Sequence, residues 1–76
     1  MIERALGSAI RVEAPIGQRV RVETASGQFL GEKSTDDKGF AHFIVEPGSY
    51  KVTTPGSNTF SQNTVVGDKT VVLSFL

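Results

Sequence analysis

Apolar residues in this chain recur at every second position in a series of short runs, and most runs stop at a glycine, a proline or a polar cluster. Ile10, Val12 and Ala14 alternate with Arg11 and Glu13. Val20 and Val22 alternate with Arg19, Arg21 and Glu23, and Tyr50 and Val52 with Ser49, Lys51 and Thr53. A period of two belongs to a strand with one face in a core and the other in solvent. The pattern predicts strands over 8–14, 18–24, 29–34 and 40–45, another around Tyr50 and Val52, a short one at Val65 and Val66, and a last one over 69–76. Pro15 lacks the N–H that a ladder needs and ends the first run. Asp36-Asp37-Lys38-Gly39 and Pro47-Gly48 read as tight reversals, with Gly39 free to take a positive φ. Gly31, inside 29–34, marks a bulge or a close backbone approach. Ile2 and Leu6 have helical spacing, but one turn is too short to stand alone. Seven short strands and no helix predict an all-β fold, a small Greek-key two-sheet β-sandwich over 8–76 behind an N-terminal arm over 1–7. The expected core is Ile10, Val12, Val20, Val22, Phe43, Val45, Tyr50, Val52, Val71 and Leu73.

Composition narrows the chemistry. Seventy-six residues make one small domain, and a chain of this size buries only about 60% of its unfolded surface. It has no cysteine and one histidine, so zinc, iron–sulfur and haem centres are not expected, nor is any other cofactor. Stability must then come from packing, sheet hydrogen bonds or a partner, and self-association or docking onto another protein is the expected staple. Eight basic and eight acidic residues are interspersed, without the basic stripe and interleaved aromatics of a nucleic-acid binder. No apolar run reaches membrane-spanning length. The N-terminus lacks the pattern of a cleaved signal, which implies cytoplasmic synthesis.

Four places bear on function. Asp36 and Asp37 form the best carboxylate pair, but adjacent aspartates diverge and calcium needs six to eight oxygens; they read as turn residues that satisfy local N–H groups. His42 falls on the face opposite Phe43, and no nucleophile or orienting group is nominated beside it. No nucleophile elbow or phosphate-cradling loop is present, so the chain is not expected to be an enzyme. The polar stretch over 55–64 reads as a loop carrying Phe60 among Asn58, Gln62 and Asn63, an aromatic anchor with adaptable hydrogen-bonding neighbours. Phe60 plugging one end of the core is the plainer reading. The last strand is apolar on both faces, with Val72 and Leu76 opposite Val71, Leu73 and Phe75. An antiparallel sandwich strand ordinarily has one wet face. Val72, Phe75 and Leu76 are therefore candidate interface residues, covered either by the N-terminal arm or by another subunit.

The central stretch Thr35-Asp36-Asp37-Lys38-Gly39-Phe40-Ala41-His42-Phe43-Ile44-Val45-Glu46-Pro47-Gly48-Ser49-Tyr50-Lys51-Val52 resembles the central hairpin of carboxypeptidase regulatory-like domains. These belong to the transthyretin-like (prealbumin-like) sandwiches, which include Cna B-type repeats. Pro15-Ile16-Gly17-Gln18-Arg19-Val20-Arg21-Val22 is similar to the segment leading into that family's second strand. The resemblance implies a fold and carries no catalytic residue. The Lys–Asn cross-link of some Cna B-type domains is not expected, because the first strand has no lysine and the last no asparagine. Resemblance and circumstance imply a non-catalytic module of a larger assembly, such as a phage head-decoration or tail accessory protein of the virion. The alternative is a monomer that recognises a host protein or a carbohydrate through the 55–64 loop, the carbohydrate resting on no particular residue. A third reading, a small hydrolase, needs clustered groups in an oligomer channel and has one histidine to draw on.

Overall fold

Each alternating run forms a strand, because only one of its faces can be kept from water. The structure, a computed structural model, describes residues 8–56 and 58–76; the arm expected over 1–7, with Ile2 and Leu6, lies outside the described residues. The strands are β1 (Ala9–Glu13), β2 (Arg19–Thr24), β3 (Phe29–Ser34), β4 (Phe40–Ile44), β5 (Gly48–Thr54), β6 (Phe60–Val66) and β7 (Thr70–Ser74). They make two sheets, β4-β1-β7 and β3-β2-β5-β6. β1 is antiparallel to β4 and parallel to β7, and every pair in the larger sheet is antiparallel. The chain changes sheet after β1, β3, β4 and β6, and β4 returns beside β1 as in a Greek key. Over the described residues the protein is an all-β, seven-stranded sandwich.

The inner faces meet in a core of Ile10, Val12, Ala14, Val20, Val22, Ala41, Phe43, Tyr50, Val52 and Val66. Val45, Val71 and Leu73, expected in it, are only partly buried at its margin, joined by Phe75. They lie on or just beyond the outer strands β4 and β7, which have one neighbour each. Tyr50 buries its ring and donates its hydroxyl hydrogen to the Glu46 carbonyl, so the strand after the Pro47-Gly48 reversal is tied to the residue before it. The irregularity expected at Gly31 is present. Val22 pairs with Gly31 and Glu23 with Phe29, which leaves Leu30 as the extra residue of a bulge.

One expectation is corrected. The stretch over 55–64 is not a loop throughout, because β6 begins at Phe60 and pairs with β5 from Thr54↔Phe60 to Gly48↔Val66. Only 55–59 connects the two strands. Backbone groups make the ladder, so polar Ser61, Gln62, Asn63 and Thr64 can pair as well as apolar residues do. They are tolerated because β6 is an edge strand at the open side of the sandwich. There the Gln62 side-chain amide donates to the Ser74 carbonyl of β7 at 2.7 Å, joining the edges of the two sheets. On the opposite side Lys33 of β3 donates to the His42 carbonyl of β4 at 2.6 Å. Both bridges occupy carbonyls on edge strands that strand pairing would otherwise use.

Candidate functional site

The outer face of the β4-β1-β7 sheet carries outward side chains with both charge and apolar surface around an open depression. Its residues follow from the register. Ile44 and Thr70 flank Ala9, His42 and Val72 flank Arg11, and Phe40 and Ser74 flank Glu13. Ile44 is 84% exposed and Val72 60%. The Arg11 guanidinium lies over the Phe40 ring, 4.2 Å from its centroid, a cation–π contact that holds the long side chain across the sheet.

The turn before β4 supplies the rim. Asp36 Oδ1 accepts from the Lys38 amide at 2.9 Å and the Phe40 amide at 3.0 Å. The Asp36 amide donates to the Phe40 carbonyl at 2.8 Å, and the Gly39 amide to the Asp36 carbonyl at 3.0 Å. Asp36 alone does the work expected of the Asp36–Asp37 pair. The amides of Phe40 and Lys38 hold its carboxyl below the ordinary aspartate value, and Lys38 and Arg11 add a smaller attraction. The turn places Lys38 beside the sheet face, and Arg11, Asp36, Lys38, Phe40, His42 and Val72 surround an open depression of about 560 Å³.

The residues singled out in the sequence fall elsewhere. Phe60 is 60% exposed and lines a smaller depression of about 260 Å³ at the end of the sandwich with Asn58, Gln18 and Phe75. Gln62 makes the bridge to Ser74, and Asn63 is exposed on the opposite face of β6, away from Phe60. Phe60, Gln62 and Asn63 therefore do not converge. Val72 and Leu76 point outward, at 60% and 78% exposure, whereas Phe75 packs against the core. Phe75 continues the pairing of β7 with β1, its amide donating to the Glu13 carbonyl at 2.7 Å. Arg11, Lys38, Phe40 and Ile44 were not singled out. A signal existed, since Phe40, His42 and Ile44 share the parity opposite Phe43.

The outer face of the larger sheet is mixed too, with Phe29 and Val65 exposed and the Arg21 guanidinium 5.5 Å from the centroid of the Phe29 ring. Arg19 and Arg21 both pair with Glu32, the second at 3.4 Å. The hydrogen bond from Arg19 holds the Glu32 carboxyl below its usual range, with both arginines adding Coulomb attraction. Among the described residues no three His, Cys, Asp or Glu side chains stand close enough to hold a metal ion.

No family model matches this chain, and neither does any curated protein. What fold and surface define is a class, a small two-sheet β-sandwich whose outer faces mix apolar and charged side chains, with an open depression on the smaller sheet.

Proposed function

We propose that this protein is a non-catalytic interaction module that works as a piece of a larger assembly. The assembly we have in mind is a phage virion, with this chain as an accessory protein of head decoration or tail. We place it, by the resemblance of its central hairpin, with the transthyretin-like and carboxypeptidase regulatory-like sandwiches. The observation that carries the reading is the pair Ile44 and Val72, 84% and 60% exposed on one face of the smaller sheet. Outward positions of a solvated sheet face are ordinarily polar, and apolar residues there mark a surface that is covered in use.

Light scattering across a dilution series tests it. The expected result is a mass above the 8.1 kDa of one chain that does not fall on dilution, and that Val72→Lys with Ile44→Lys reduces to monomer while far-UV dichroism is kept. A monomer at every concentration, for the unaltered chain, removes self-assembly as its role.

A second reading has its own observation. Phe60 is 60% exposed beside Asn58 at the end of the sandwich, as an aromatic anchor of a monomeric binding module for a host protein or a carbohydrate would be. That reading predicts a binding activity lost in Phe60→Ala with folding intact.

A further inference from the structure

We infer that the depression on the outer face of the β4-β1-β7 sheet is the docking point for an acidic side chain of a protein partner, with Arg11 and Lys38 receiving the carboxylate and Phe40 and Val72 the apolar stem. The inference rests on the interaction-module reading above and names the chemistry of the partner.

Free donors come first. Among the described residues the ion pairs are those of Glu32 with Arg19 and Arg21. Arg11 and Lys38 thus have no described carboxylate within 4.0 Å. Arg11 carries five N–H donors in a planar fork that matches a carboxylate. Its only described contact of this kind is with the Phe40 ring, and a ring face does not use that fork. Contact with the ring also limits the side-chain freedom that Arg11 loses on binding.

Charge then selects the ligand. Asp36 is the carboxylate of the depression, and its Oδ1 is committed to the Lys38 and Phe40 amides. Those amides favour its ionised form. Two cations against one carboxylate leave an excess of one positive charge, which suits a single carboxylate better than a phosphate dianion, since the dianion would face Asp36. Glu13 shares this sheet face opposite Phe40 but lies outside the lining and makes no ion pair with Arg11. Val72 and Phe40 border the cations with apolar surface. The methylenes of a glutamate could lie there while its head meets the arginine, as amphipathic side chains do. The outer face of the larger sheet also exposes apolar Phe29 and Val65, but there Glu32 already occupies Arg19 and Arg21.

The test is an amide-shift titration of the full chain by NMR. The probe is a blocked five-residue peptide with a central glutamate between valines, compared with its glutamine analogue and with inorganic phosphate. Saturable shifts at Arg11, Lys38, Phe40, His42 and Val72 are expected. Affinity should drop at least about tenfold for the glutamine peptide and again for Arg11→Gln, as loss of a charge-assisted hydrogen bond implies. Lys38→Gln is the second variant, and Lys51→Gln, on the other sheet, should leave binding unchanged. Equal binding of the two peptides, shifts centred on Arg19 and Arg21, or tighter binding of phosphate than of the glutamate peptide would each overturn the inference. Solution mass reads the assembly role independently. Should the chain be a stable oligomer, the peptide is titrated into the monomer released by Ile44→Lys, which lies outside the lining; no binding there removes the carboxylate site alone, and an unaltered monomer that binds the peptide through Arg11 removes only self-assembly.

Discussion

Gly39 and the carbonyl oxygen of Ala14 leave no room for a side chain between them. An ideal Cβ on Gly39 would lie 2.7 Å from that oxygen, and the Ala14 amide donates to the Gly39 carbonyl at 2.9 Å. Gly39 also has a φ of +83°, which side chains rarely adopt. Close approach and backbone conformation thus both require glycine at the end of the turn that presents Lys38 and starts β4. Gly39→Ala should destabilise the protein by about 2–4 kcal/mol, as backbone strain plus a displaced strand end. Gly27→Ala is the control. Its φ is +99° but nothing lies within 4 Å of the added Cβ, so a cost of about 1 kcal/mol is expected. Urea midpoints of the two variants measure the difference.

Thr35 clasps the β1–β2 connection. Its hydroxyl donates to the Pro15 carbonyl at 2.7 Å and accepts from the Gln18 amide at 3.1 Å, and its own amide donates to the Gln18 carbonyl at 2.9 Å. Thr35→Val keeps the shape and strands two partners of a buried hydroxyl. The expected cost is about 1–3 kcal/mol, read from urea unfolding. A change near zero would mean that water replaces the hydroxyl.

Acid should weaken the fold through Asp36 and Glu32. Both carboxyls are held below their ordinary values of 3.8 and 4.5. A lowered folded value makes the contribution full above the unfolded value and lost as pH falls through the folded one. The expected decline therefore begins near the ordinary values and continues below them. Asp36→Asn and Glu32→Gln should each flatten that acid limb in urea midpoints measured against pH. An unchanged limb in the double variant would exclude both groups as its source.

The Gln62–Ser74 bridge sets how firmly the two sheets close at the β6–β7 side. Gln62→Ala should cost about 0.5–1.5 kcal/mol. Its more telling effect is local, since amide exchange should rise in β6 and β7 before it rises in β2. Uniform exchange across the sheets would show that the bridge has no local role.

Val22 measures the core itself. It is fully buried between Gly31 of β3 and Val52 of β5. Val22→Ala should cost about 2–3 kcal/mol, from lost burial and the cavity left behind. A domain this size is stabilised by only about 5–10 kcal/mol, so calorimetry should show a clear drop in Tm.

The elements were legible where local rules act alone. Alternation at Ile10–Val12, Val20–Val22 and Tyr50–Val52 set both the strands and their buried faces, because a side-chain period of two ties parity to face. The Asp36–Gly39 turn was legible for a similar reason, since its hydrogen bonds and its positive φ lie within a few residues. Of the strand Phe60–Val66 only the end, Val65 and Val66, was legible. The pairing of the rest depends on β5 supplying a ladder, and polar side chains leave no mark of that in the pattern. The candidate face was half legible. The sequence by itself determined that Phe40, His42 and Ile44 lie on one side of a strand. Only the tertiary structure decided that Arg11 and Val72 stand beside them. Strand order is set by which sheet each crossover reaches, through contacts between residues far apart in the chain, and no local pattern encodes it.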